Sequence, residues 1–593
     1  MMFLILHFLT TLCITSLVDG AFVLNPISTV YLHYDLPNLF RFDRGAAEIS
    51  AFDPDTKYVY TVGDKLFQVV DFSTPPKASI IYTTTLTGKG THIELCNEYA
   101  AVAMKASSDN PSEPGNVAIF SLSLASQLII EQYNDVEVGP EPSMLTFTEN
   151  CRTLLVANEG GADESADGTT IVDPEGTITI LRFPTNDLSQ TPDKKTVNFN
   201  EFDSESAEYE SKGVRIPYKG ALSSGTTTFS QSMEPEYITL NSDESLAYVT
   251  LQENNAIAVI DIALGEVVEI YPMGQKDWSQ LQFDSSDTDL EINLRSWPLF
   301  SLYQPDVAMY FQMNDGEEYL AMVNEGKVVD YETSANNATW TESIRGNMIL
   351  AESLLADGIS QDVRDALLDN NKLGRLQFSR VDGLDQLGKI EKLHFYGGRG
   401  WSIVRVKDMS RVYDSGDELE RKHAELLADV FNADSSPDSA AVYDIIKPSH
   451  LKDMKSDDTG PECESIVIGD IDGKKLFFIG VEGSSSIAIY SMDSSLQPQF
   501  ESLYRAGNID ASFKSIYDSR HAGDLDPEGL RFISAEDSPT GKPSLLVTGT
   551  VSGTVSLYEI VDQGINGGTS TYQTSAWLLI GMTILSMLIQ SQL

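Results

Sequence analysis

The residues in this sequence best placed to do chemistry are short acidic signatures, repeated along the chain and often built around proline. They are Ala47-Glu48-Ile49, His92-Ile93-Glu94, Gly139-Pro140-Glu141-Pro142, Glu234-Pro235-Glu236-Tyr237, Gln304-Pro305-Asp306, Gly460-Pro461-Glu462-Cys463-Glu464 and Asp526-Pro527-Glu528-Gly529. If each opens the innermost strand of a repeated sheet, Glu48, Glu141, Glu236, Asp306, Glu462 and Glu528 converge on one opening. Carboxylates at close range raise each other's pKa until something neutralises them. Hard divalent cations with oxygen ligands, chiefly Ca²⁺, are the natural counterion. The plainer reading is that each carboxylate accepts hydrogen bonds from its own turn. A second candidate is the run from Asp284 to Asn293, where Asp284, Asp287 and Asp289 place several oxygens around one loop. It lacks the glycine and distal glutamate of an EF-hand.

Catalytic motifs are sparse. There is no G-x-S-x-G nucleophile elbow and no H-E-x-x-H. Asp438-Ser439-Ala440 has the form of an alkaline-phosphatase nucleophile tripeptide, but the histidines are scattered singly and cannot form the cluster that a two-zinc site needs. A binding protein is therefore the leading reading. The alternative is a metal-dependent phosphoesterase, for which Arg399, Arg520 and Lys455 are the available phosphate clamps.

The elements that must position these groups are short, β-branched strands. Tyr58–Val62, Leu154–Ala157, Ala247–Leu251, Leu476–Val481 and Leu545–Val547 are punctuated by Gly, Asn and Asp, and several are followed by a second apolar run such as Ala256–Ile262 or Ser486–Tyr490. The steps from Glu48 to Glu94 to Glu141 are 46 and 47 residues, the period of one four-stranded propeller blade. The expected fold is all-β, a β-propeller of seven or eight blades with short helical and acidic loop insertions. Gly397–Ile403 is read as opening a further strand pair. Residues 159–175 and 200–232 are read as polar loops, and 350–374 and 417–433 carry helical periodicity. Asp472-Gly473 reads as a hairpin turn.

Charge and composition narrow the function. With 88 acidic against 40 basic side chains the formal charge is −48, which repels nucleic acid. An apolar fraction of 41% is too high for a disordered chain.

The termini place the expected product outside the cell. Residues 1–20 read as a signal peptide with cleavage before Ala21, 21–562 as the propeller ectodomain, 563–575 as a polar spacer and 576–593 as an apolar propeptide. Small residues, a spacer and a terminal apolar tail signal exchange for a glycosylphosphatidylinositol anchor, with Asn566 as the preferred attachment residue. A single membrane span is the alternative. Of the cysteines left after cleavage, Cys96 and Cys151 are the favoured disulfide pair, and Cys463 is left over. Asn337-Ala338-Thr339 is the glycosylation sequon.

Several blocks resemble a known family. They are Leu155-Val156-Ala157-Asn158-Glu159-Gly160, Val172-Asp173-Pro174-Glu175-Gly176-Thr177, Ala247 to Ala256, Asp284 to Asp289, and Val323-Asn324-Glu325-Gly326. Further blocks are Ser456 to Glu462, Gly523 to Leu530, and Ser552-Gly553-Thr554-Val555. Together they resemble the mesenchyme-specific cell-surface glycoproteins, whose bacterial relatives carry the choice-of-anchor I domain. The resemblance implies a lipid-anchored surface glycoprotein that handles calcium in biomineralisation, with calcium ions and mineral or extracellular matrix as partners. It marks Asn158, Glu159, Asp173, Glu175, Asn324, Glu325 and Arg399 as family-motif residues. The departures are Val323 and Lys327-Val328-Val329, and Gly397-Gly398-Arg399-Gly400-Trp401 where the family has Gly-Ala-Arg-Ser-Phe.

Overall fold

The β-branched runs form strands, and the strands pair in fours. The computed structural model describes residues 22–106, 112–124, 128–165, 168–219, 221–222, 225–289, 291–333, 338–437 and 439–564. Within them seven four-stranded antiparallel sheets follow one another along the chain. Blade 1 holds Ser50–Asp53, Tyr58–Val62, Leu66–Asp71 and Ser79–Thr85. Blade 2 holds Lys89–Cys96, Tyr99–Lys105, Pro114–Leu124 and Leu128–Pro140, and blade 3 Pro142–Phe147, Thr153–Asn158, Thr177–Arg182 and Asp193–Val197. Blade 4 is Pro235–Leu240, Leu246–Leu251, Ala256–Asp261 and Glu266–Pro272. Blade 5 is Ala308–Gln312, Glu318–Asn324, Gly400–Arg405 and Ser410–Asp414, and blade 6 Cys463–Ile471, Lys474–Val481, Ser486–Met492 and Gln499–Arg505. Blade 7 takes Gly529–Ile533, Ser544–Gly549 and Thr554–Asp562, and its fourth strand is the N-terminal Phe22–Tyr31, paired Phe22 to Asp562 through Tyr31 to Thr554.

The first strand of each blade touches the first strand of the next, and that of blade 7 touches that of blade 1. These contacts close the ring, and the blades make a β-propeller. Between blades the core is apolar: Phe67 of blade 1 meets Phe120 of blade 2 at 5.0 Å, and Trp401 of blade 5 meets Phe477 of blade 6 at 5.0 Å. Burying one such ring stabilises by about 3 kcal/mol. Asp472 and Gly473, with φ of 51° and 81°, form the tight turn between Ile471 and Lys474.

Gly400–Arg405 opens the expected strand pair with Ser410–Asp414, and on its other side joins Glu318–Asn324 as the third strand of blade 5. The long segment between Glu318–Asn324 and Gly400–Arg405 packs with residues near 278–299 into its own apolar cluster around Trp278, Phe283, Leu367, Phe378 and Phe395. One sequence expectation is corrected. The 200–232 stretch is not all loop. It contains the helix Ser206–Lys212, stopped by Gly213 at φ 110°, because Tyr209 can bury itself against Phe202 and Phe229. Helices also occur at Gly346–Ala351, Gln361–Leu367 and Glu418–Leu426. No helix among the described residues is long and apolar enough to cross a membrane. The signal peptide, Asn337, Asn566 and the apolar tail lie outside the described residues.

Candidate metal centre

The carboxylates reach the central channel, about 720 Å³, through a kink in the chain. Glu141, Gln304, Glu462 and Asp526 adopt φ of 49°, 49°, 55° and 60°, a left-handed conformation that costs a side-chain-bearing residue about 1–2 kcal/mol. The turn is held from the second strand. Glu159 N donates to Glu141 O at 3.0 Å, Glu482 N to Glu462 O at 2.9 Å, and Thr550 N to Asp526 O at 3.0 Å. The first strand then starts with a register shift, between Pro142 and Met144 in blade 3 and between Cys463 and Ser465 in blade 6. The residue two places beyond the kink therefore faces the channel: Ser143, Asp306, Glu464 and Glu528, with Glu236 in blade 4.

Of the expected ring, Glu236, Asp306 and Glu528 line the channel, and Glu48 lines an adjoining cavity together with Asp526 and Glu528. Glu141 and Glu462 sit at the kink and have other partners. Lys105 reaches Glu141 at 3.5 Å, while Lys455 donates to Glu462 at 3.0 Å and the Thr459 hydroxyl donates to it at 2.5 Å. Glu464 was missed. A second tier comes from the ends of the second strands, where Glu159, Glu253, Glu325 and Glu482 follow an amide or apolar residue. Glu159 and Glu325 had been marked only through family resemblance; Glu253 and Glu482 carried no mark. The repeated signal was an amide followed by glutamate at a strand end: Asn158-Glu159, Gln252-Glu253 and Asn324-Glu325.

Two groups of these side chains bring their oxygens together: Glu159, Glu236 and Glu253, and Glu325, Glu464 and Glu482, each with ligand atoms within 4.8 Å of one another. Buried Oε2 atoms of Glu236, Glu253, Glu462 and Glu464 have no hydrogen-bond partner. Burial pushes the Glu253 and Glu48 carboxyls up to about 7, against the pull of Lys327 and Lys89 respectively. Burial and then neighbouring carboxylates push Glu236, Asp306, Glu464, Glu482 and Glu528 well above the usual range. Desolvation would lower the Lys327 pKa, but Glu253, Glu325, Glu236 and Glu159 outweigh it and hold the ammonium charged. The donor set is all oxygen and rich in negative charge, as a hard divalent cation requires.

The other candidates have local partners. In the acidic loop, Asp284 accepts from Asn293 N at 2.6 Å and Ser286 N at 3.3 Å. Asp287 pairs with Arg375 at 2.5 Å, and Asp289 accepts from Glu291 N and Asn293 Nδ2, each at 3.1 Å. Asn158 is buried; its Oδ1 accepts from Gly139 N at 3.1 Å and its amide donates to Thr179 at 3.0 Å. Asn324 donates to Ser402 at 3.2 Å, so both asparagines brace the strands beneath Glu159 and Glu325. Asp173 lines a small cavity with Glu234 and Glu253, and burial pushes it up to about 7. Glu175 accepts from Asn200 at 3.4 Å. Arg399 is fully buried; it pairs with Glu420 at 2.7 Å and donates to the carbonyls of Asp284, Ser456 and Asp458 at 2.8–3.0 Å. Arg520 lies over Tyr31 at 4.4 Å and Phe40 at 4.5 Å. Each cation named for a phosphate clamp is thus engaged by groups of the protein itself. Cys96 and Cys151 form a disulfide across blades 2 and 3, with Cα atoms 5.7 Å apart, and Cys463 is free and buried.

Fold and site together define a β-propeller with a carboxylate-lined channel mouth. The model of the choice-of-anchor I domain matches residues 48–495, and the chain belongs to that family. It is similar to the mesenchyme-specific cell surface glycoprotein of Strongylocentrotus purpuratus, 26% identical with 88% of this chain and 85% of that protein covered. It also resembles gigasin-3a of Magallana gigas, 35% identical with 32% of this chain and 64% of that protein covered. Among solved structures it resembles hydrazine synthase of Kuenenia stuttgartiensis, with a TM-score of 0.40 at 11% identity, covering 89% of this chain and 99% of that one. The β-propeller domain of Myceliophteria thermophila Cps50 gives 0.38 at 6% identity, with 91% and 99% covered.

Proposed function

We propose that this is an extracellular, cell-surface propeller that binds Ca²⁺ through the carboxylates at its channel mouth, is held to the membrane by a lipid anchor, and acts in biomineralisation or matrix contact. The observation that carries the reading is the convergence of buried and half-buried carboxylates from successive blades, with buried Oε2 atoms on Glu236, Glu253 and Glu464 that have no hydrogen-bond partner. A buried acceptor left unmatched costs about 1–3 kcal/mol, and a divalent cation removes that cost at several groups together. The name of the sea-urchin relative supports a cell-surface setting, and the Cys96–Cys151 disulfide suits an oxidising compartment. The spacer and apolar tail after Asn566 support the anchor. Calorimetric titration with CaCl₂ tests the binding: heat and a raised melting temperature are expected, and neither at millimolar calcium refutes it. Release from intact cells by a phosphatidylinositol-specific phospholipase C tests the anchor.

A further inference from the structure

We infer that the mouth holds two divalent cations at rotationally equivalent junctions. One site is Glu159, Glu236 and Glu253 between blades 3 and 4, and the other is Glu325, Glu464 and Glu482 between blades 5 and 6. The inference rests on the reading that the mouth takes cations, and adds their number and their ligands.

The two triads are one construction used twice. Each takes the glutamate at the end of one blade's second strand, the carboxylate at the start of the next blade's first strand, and the glutamate at the end of that blade's second strand. A step of two blades around the ring carries one onto the other. An oxygen-to-oxygen span of at most 4.8 Å is what two ligands on opposite sides of a Ca²⁺ reach with bonds of about 2.4 Å. In the first site Glu253 is only 4% exposed and its Oε2 has no partner; Glu236 is half-buried, and its Oε2 atom is buried without a partner. In the second, Oε2 of Glu464 is buried and unpartnered. Beside it stands Glu462, 5% exposed, whose unpartnered Oε2 lies 3.6 Å from where a Cβ on Gly483 would sit, next to Glu482.

The junction between blades 4 and 5 supplies the contrast. It has the same three positions, Glu253, Asp306 and Glu325, but their oxygens do not form a converging group. Glu253 and Glu325 each belong to one triad, and Asp306 belongs to neither.

Native mass spectrometry and isothermal titration of the purified full chain with CaCl₂ test the inference. Two ions are expected on the native protein, one on Glu253→Gln, one on Glu464→Gln, and none on the double variant. Glu159→Gln, at a less buried ligand, serves the first site if Glu253→Gln does not fold. A native protein that takes no calcium overturns the reading of the mouth itself. A native protein that binds calcium with a stoichiometry unchanged by both single variants overturns the two sites and leaves the broader reading standing.

Discussion

Asp453 offers a sharp test of how this acidic chain treats its buried carboxylates. Its side chain is 6% exposed and its Oδ1 accepts a hydrogen bond from the Ser456 hydroxyl at 2.6 Å. Burial, and then the charges of Asp284 and Asp289, push its pKa from 3.8 to about 8. The folded chain thus keeps a proton that the unfolded chain has released. The stabilising contribution is complete below about pH 4 and is lost as pH rises to about 8, at roughly 1.4 kcal/mol per pH unit. Integrated over that window the loss is about 3–6 kcal/mol, the lower figure allowing for coupling to Asp284. Asp453→Asn cannot ionise. Its amide oxygen can still accept from Ser456, and asparagine tolerates the left-handed backbone at this position, φ 73°. The variant should match the native protein at pH 4 and exceed it at pH 8.5, by about 3–5 °C in melting temperature for a chain of this length. Thermal and urea unfolding in EDTA at several pH values provide the measurement. Parallel pH profiles refute the reasoning. A variant less stable than the native protein at high pH does so more pointedly, because it means that Asp453 is ionised and compensated by groups of the protein itself.

Other consequences follow from single contacts. Arg399→Met leaves Glu420 buried without its partner and should cost about 3–5 kcal/mol; adding Glu420→Gln should recover part of the urea midpoint, and a loss confined to phosphatase turnover would instead favour Arg399 as a substrate clamp. Replacing Cys96 and Cys151 by alanine opens a loop of 55 residues and should lower unfolding free energy by about 4 kcal/mol, with no change if the bridge does not form. Leu24, 6% exposed in the N-terminal strand that completes blade 7, should lose about 2–5 kcal/mol as Leu24→Ala; a neutral result in denaturant titration would mean that this strand does not close the ring.

The propeller was legible because each blade repeats a local pattern: β-branched strands, a turn, and an acidic residue, spaced by 46 and 47 residues over the first steps. What the pattern hides is a shift of two residues. In Gly460-Pro461-Glu462-Cys463-Glu464 both glutamates look equivalent, and the one next to proline resembles its counterparts in other signatures. The left-handed backbone at Glu462 turns that residue toward Lys455 and Thr459 and hands the channel to Glu464. Glu141 meets the same fate, since Ser143 takes the channel position in blade 3. Period alone cannot separate a kink residue from the one beyond it, because a register shift leaves no mark in composition. The second tier was harder still. Glu253 and Glu482 end strands whose neighbours are ordinary strand residues, and only the pairing of Pro235 with Leu251 and of Cys463 with Val481 brings them level with the first-strand carboxylates. The N-terminal strand was silent for a related reason: its partner lies more than five hundred residues away, and no local signal announces a pairing that exists only once the ring closes. Each of these gaps concerns a relation between strands, so the candidate site became visible only at the level where strands meet.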